Sequence, residues 1–135
     1  MNYYLDSNVY ISINKKMFEN IAARLASIDM DKIKIPSMVA AELFHGAYKS
    51  DYIEYNLARL NLFLSRYETV PFGESAAEHY GQIRANLERE GCVIDYNDMV
   101  TAATVLANGG ILVTHNIGEF SRIDGLSLED WSENP

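Results

Sequence analysis

Cysteine is nearly absent from this chain. The one thiol, Cys92, cannot form an intramolecular disulfide, which suits a reducing compartment. It also supplies no Cys pair for zinc. No apolar run approaches the ~20 residues that span a bilayer. The opening MNYYLDSN has no basic stretch and no apolar core, so no signal peptide is read there. The expectation is a cytoplasmic protein without a membrane segment. Repeats, low-complexity tracts and linkers are missing too, so residues 1–135 read as one domain.

Positive charge is scarce. Eleven Lys and Arg stand against 19 Asp and Glu, for a net charge of −8. Surfaces that bind phosphate are usually basic. Work on nucleic acid would therefore lean on a metal, on dimer formation or on a local basic patch. The same acidity suits a basic partner segment. What the chain has is apolar substance: 48% hydrophobic and 22% charged residues allow a real core and exclude bulk disorder.

The pattern alternates strands with helices. NYYL (2–5) reads as a short strand ending at Asp6 and Ser7, and residues 8–28 contain a helical stretch with Ile21, Leu25 and Ile28 at helical spacing. KIKIP (32–36) is a second strand. Ser37 is the expected N-cap of a helix over 38–48. Ile53, Leu57, Leu60 and Leu64 mark a third helix, and TVPF (69–72) another strand. Residues 74–90 form a long helix stopped by Gly91. The helix at 98–107 is nearly all apolar and ends at Asn108-Gly109-Gly110. ILVT (111–114) reads as a fully buried strand, and LSLEDW allows a last one. This order predicts an α/β fold with a mainly parallel sheet flanked by helices. In such sheets, sites lie outside the carboxyl ends of the strands. Asp6 and Asn116 occupy such ends.

Four places set polar groups beside apolar elements: Asp6, Glu42, Asp98 and the pair Asn116 and Glu119. Converging carboxylates suit Mg²⁺ or Mn²⁺, hard cations that prefer oxygen ligands and keep several waters. Each residue also has a plainer reading. Asp6 caps a helix, Glu42 is a solvated helix residue, and Asp98 is a partner of the helix dipole that favours its ionised form. Asn116 is a turn former and Glu119 a surface residue. Spacing alone leaves an α/β domain with an acidic pocket.

The wording around these residues goes further. LDSNVYI (5–11) resembles the opening motif of PIN-domain nucleases. IPSMVAAELFHGA (35–47) is similar to their second motif, with Glu42 in the acidic position. YNDMVTAATVLANGGILVTHNIGEFSRIDGL (96–126) is similar to their third and fourth motifs run together. The match covers nearly the whole chain and falls closest to VapC-like toxins of toxin–antitoxin modules. The resemblance implies that Asp6, Glu42 and Asp98 form an acidic metal-binding core, with Asn116 in the last site position. Glu119 is an extra candidate ligand and Ser7 a supporting hydroxyl. It further implies an Mg²⁺- or Mn²⁺-dependent endoribonuclease toxin acting on structured RNA, often tRNA, to inhibit translation. A homodimer inhibited by a VapB-like antitoxin belongs to the same implication.

This chain departs from the pattern in places. Asn116 is neutral, and Asp95 stands where glycine is expected, where it reads as a turn residue. Lys15, Lys16, Arg84 and Arg89 are candidate RNA contacts, each also readable as solvated charge. Within the nuclease reading DNA is the alternative substrate, because the acids do not distinguish the sugar. A PIN-like binding module without catalysis is a second alternative. A haloacid-dehalogenase-type phosphatase fits poorly, since it pairs its nucleophile with an Asp two residues later, where this chain has Asn8. Glu42-x-x-His45 has di-iron spacing but no second pair. Neither a P-loop nor G-x-S-x-G is present.

Overall fold

The computed structural model describes residues 1–16 and 19–132. Its centre is β1 (Tyr3–Leu5), a strand covered on both faces. Beside it on one side lie β2 (Ile33–Pro36) and then β3 (Glu68–Val70); on the other lie β4 (Ile111–Val113) and β5 (Ser127–Glu129). The order β3-β2-β1-β4-β5 is parallel at every step. Parallel neighbours require crossovers, and helices supply them. These are α1 (Ser7–Asn14), α2 (Glu19–Ser27), α3 (Ser37–Tyr48), α4 (Ile53–Leu64), α5 (Glu74–Glu90), α6 (Tyr96–Asn108) and the short α7 (Ile117–Phe120).

Side-chain alternation along the strands divides the core in two. Tyr4 pairs with Leu112, and both turn to a cluster with Ile83, Leu87, Met99, Val105 and Phe120. Leu5 pairs with Val113, and both turn to the other face with Ile33, Ile35, Val39, Leu60 and Trp131. A one-residue slip would exchange these faces, so burial on both sides sets the register. The sequence expectation of an α/β fold with a parallel sheet between helices holds.

Two local readings change. The stretch 8–28 resolves into α1 and α2; α1 ends where Lys16 takes a left-handed φ of 55°, and residues 17 and 18 lie outside the described ones. Ser37 does not cap α3. It is the first helical residue, because β2 runs up to Pro36 to pair with Val70. The Ser37 hydroxyl instead accepts the Phe72 N–H at 3.2 Å, tying the chain that leaves β3 to the start of α3. LSLEDW does supply the last strand. Trp131, 2% exposed, anchors it: the indole N–H donates to Glu129 at 2.9 Å, and Arg24 lies 5.2 Å over the ring.

Among the described residues no helix is long and apolar enough to cross a membrane.

Candidate active site

The strand order reverses between β1 and β4, and a crevice forms where chains leave two adjacent parallel strands in opposite directions. Asp6 follows β1 there and Thr114 follows β4. Asp6 is only 5% exposed. Its Oδ1 accepts the Ser7 N–H at 2.8 Å, as the start of a helix invites. Its Oδ2 accepts the Thr114 hydroxyl at 2.8 Å and the Asn8 amide at 3.3 Å. Burial pushes the Asp6 carboxyl above its ordinary value; the Thr114 and Ser7 hydrogen bonds oppose the rise without cancelling it. The capping role and the site position are therefore held by one side chain.

Glu42 comes from α3 and is half-buried. Its Oε1 is buried with no hydrogen-bond partner among the described residues. Burial raises its pKa, the charges of Asp6 and Asp95 raise it further, and an Asn97 side-chain hydrogen bond offsets only part of this. Asp98 lies in the first turn of α6. The helix dipole was expected to favour its ionised form, and the structure corrects that. Burial and then the charges of Asp6, Asp95, Glu42 and Glu119 push it from 3.8 to about 7. Desolvation and four like charges outweigh one helix terminus.

Asn116 precedes α7. Its N–H donates to Thr114 Oγ1 at 3.0 Å and its side-chain amide to Glu119 Oε2 at 3.3 Å. Glu119 is thus tethered on the side from which its charge reaches Asp98, instead of pointing away as a plain surface residue. Ser7 contributes its backbone N–H to Asp6. Asp95 is the N-cap of α6, accepting the Asn97 N–H at 2.8 Å, and its charge acts on both Glu42 and Asp98. The turn reading missed that second effect.

Sequence reasoning also passed over Thr114 and Asn8. Thr114 is 1% exposed and is the hub of the crevice. It donates to Asp6 and receives the Asn116 N–H and, at 3.3 Å, the Asn8 amide. A hydroxyl closing a wholly apolar strand was the available signal, since a buried hydroxyl needs partners. Asn8 also accepts the His115 N–H at 3.3 Å, clamping the chain after β4 to the start of α1. His115 itself turns its ring to Asp130, at 2.9 Å.

Among the candidate cations, Lys15 lines a cavity of about 300 Å³ that Glu42 also lines. Arg84 sits over the ring of Tyr96, at the start of α6. Arg89 lies in a depression lined only by α5 residues. Lys16 is exposed at the end of α1.

Five carboxylates thus share one electrostatic field. Among the described residues no three of them close into a preformed ligand cluster. The donor set nonetheless fits a hard divalent cation. It offers a buried oxygen without a donor and a carboxyl raised to about 7 by burial and by its neighbours' charge, and a cation compensates both. An open set also suits Mg²⁺, which retains waters.

Comparison with known proteins identifies the family. The PIN domain family model matches residues 3–126. The Ribonuclease VapC2 of Rickettsia felis is 40% identical, over 98% of this chain and 100% of the relative. The tRNA(fMet)-specific endonuclease VapC of Shigella flexneri is 37% identical, over 98% of this chain and 99% of its own. Among solved structures, VapBC2 from Rickettsia felis bound to a DNA fragment from their promoter superposes with a TM-score of 0.91. That match has 37% identity and covers 97% of this chain and 99% of that one. The α/β fold is what the solved structure shares with the chain. The chain belongs to the PIN-domain family and, within it, to the VapC ribonuclease toxins.

Proposed function

We propose that the chain is an Mg²⁺-dependent endoribonuclease, with Mn²⁺ as a substitute, whose cleavage site is the crevice between β1 and β4. The observation that carries this reading is the acid field itself: Asp98 is held at about 7 by burial and by four neighbouring carboxylates. Such repulsion persists in a fold when a bound cation compensates it. Asp6, Glu42 and Asp98 would hold the ion directly or through water. Asn116 would add a neutral oxygen, and Glu119, tethered by Asn116, a further carboxylate. When bound, the ion polarises the scissile phosphate and activates a water. Thr114 and Asn8 fix the Asp6 carboxylate in place, and Ser7 presents its N–H to the same group. A carboxylate of the set that the ion leaves free is the kind of group suited to take a proton as the water attacks.

The substrate proposed is structured RNA, tRNA in the first place, cut so that translation stops. The Shigella flexneri relative named a tRNA(fMet)-specific endonuclease supports this choice over DNA. A DNA-directed nuclease and a silent PIN-like module remain the contrasting readings. The relative from Rickettsia felis, seen as VapBC2 on promoter DNA, supports a VapB-like antitoxin as partner and regulator of this chain. A homodimer is part of the same proposal, as are a single domain and a cytoplasmic site of action.

The test is paired induction of this chain and of Asp6→Asn in cells lacking any antitoxin, with new RNA 5′ ends mapped. Growth arrest with discrete cuts in a few RNAs, absent from the folded variant, is the expected result. Equal RNA profiles from both proteins would overturn the reading.

A further inference from the structure

A chain with net charge −8 has few cations to offer a polyanion, so an ordered cation packed against the helix that carries Asp98 carries information. Arg84 is such a cation. It reaches from α5 to the start of α6, where its guanidinium lies 4.6 Å from the centre of the Tyr96 ring. Nη1 donates to the Tyr80 hydroxyl at 3.3 Å, and Nε lies 3.6 Å from Glu88 Oε2. Tyr80 is itself braced edge-on by Phe72. The guanidinium is therefore aimed from several sides while remaining in contact with solvent.

Tyr96 is 57% exposed, although it sits one residue after the Asp95 cap and two before Asp98. Its neighbour Asn97 reaches Glu42 on the α3 side, whereas Tyr96 turns to the α5 side. An open aromatic ring backed by an ordered cation, in the first turn of the helix that carries Asp98, has the composition of a stacking platform. Every base has a π-face, a stacked base covers the exposed ring, and a guanidinium adds charge where the backbone passes. Unpaired RNA segments are read in this way.

We propose that Tyr96, backed by Arg84, stacks a base of an unpaired RNA segment beside the cleavage site, with Arg84 meeting a flanking phosphate. This rests on the acid crevice being where RNA is cut. Its role is in gripping and placing the substrate, not in the chemical step. The pair adds a basic contact on the α5 side of the helix that carries Asp98.

The test measures binding of a short fluorescein-labelled single-stranded RNA by anisotropy, across a salt series, in an Asp98→Asn background that holds cleavage off. Into that parent go Tyr96→Phe, Tyr96→Leu and Arg84→Gln, each checked for its unfolding temperature. Tyr96→Leu keeps an apolar contact with α5 but removes the ring, so loss of fold and loss of stacking are separated. The expected result is near-parent affinity for Tyr96→Phe and about tenfold weaker binding for Tyr96→Leu. Arg84→Gln should weaken binding and reduce the salt slope by about one. Parent-level affinity in folded Tyr96→Leu overturns the platform alone. A parent that binds no RNA at all overturns the platform together with the crevice reading.

Discussion

Thr114 shows how much one hydroxyl can organise. It donates to Asp6, accepts from Asn116 and Asn8, and is shut away from water. Thr114→Val keeps the shape and removes all three contacts, leaving a buried carboxylate oxygen short of a donor. Such a loss costs about 1–3 kcal/mol. The expected outcome is a lower unfolding temperature and a marked loss of RNA cleavage, with Thr114→Ser restoring most of both; melting curves and cleavage assays on the three proteins check it. Asp98 leads to a prediction in pH. Folded, it holds its proton more tightly than unfolded, since its pKa rises from 3.8 to about 7. Across that window the folded state binds more protons, so this group makes stability fall as pH rises. In metal-free protein Asp98→Asn should therefore melt above the parent on the alkaline side of the window. The difference should vanish on the acid side, as paired melts with a chelator present would show. The sequence displayed the identity of these acids but not their pKa values, because desolvation and mutual repulsion exist only once four elements meet.

Elements were legible where the hydrophobic period was long or a glycine ended it. The helix read over 74–90 is α5 to the residue, stopped by Gly91 at a left-handed φ of 70°. The strand ILV is buried throughout, as its continuous apolar run required. The short α7 went unread because four residues are too few to show a period. The Ser37 cap failed for a different reason: pairing of β2 with β3 decided where α3 starts, and local preference did not. The Asn108-Gly109-Gly110 break carries more than a stop. Gly110 has φ 137°, and a Cβ there would lie 2.6 Å from the Asn2 carbonyl oxygen and 2.8 Å from the Tyr4 ring. This glycine lets β4 come up against β1, and so brings Thr114 to Asp6. Gly110→Ala should cost on the order of 1–3 kcal/mol through this overpacking. Denaturant unfolding should register the loss, and cleavage should fall with it as the two strand ends separate.

At the scale of the whole molecule, the negative charge that argued against a nucleic-acid enzyme finds a local explanation. Five of the 19 carboxylates act on one crevice. A cation there would turn a repulsive spot into one that attracts phosphate. Parallel pairing at every step places all strand carboxyl ends on one edge, so residues 110 positions apart, Asp6 and Asn116, come to the same crevice. Sequence order alone could suggest that meeting only through the α/β pattern and the family likeness. The central claim is that this crevice is a metal centre that cuts RNA. The measurement that tests it most directly is calorimetric titration of the metal-stripped protein with Mn²⁺ on the acid side of neutrality, beside RNA cleavage at each ion concentration. Parent, Asp98→Asn and Glu42→Gln would be compared, all checked as folded. The account predicts that the parent binds the ion with release of protons, that cleavage rises with occupancy, and that both variants lose binding and cleavage together. Full cleavage by the stripped parent, or ion binding untouched by either substitution, would contradict it.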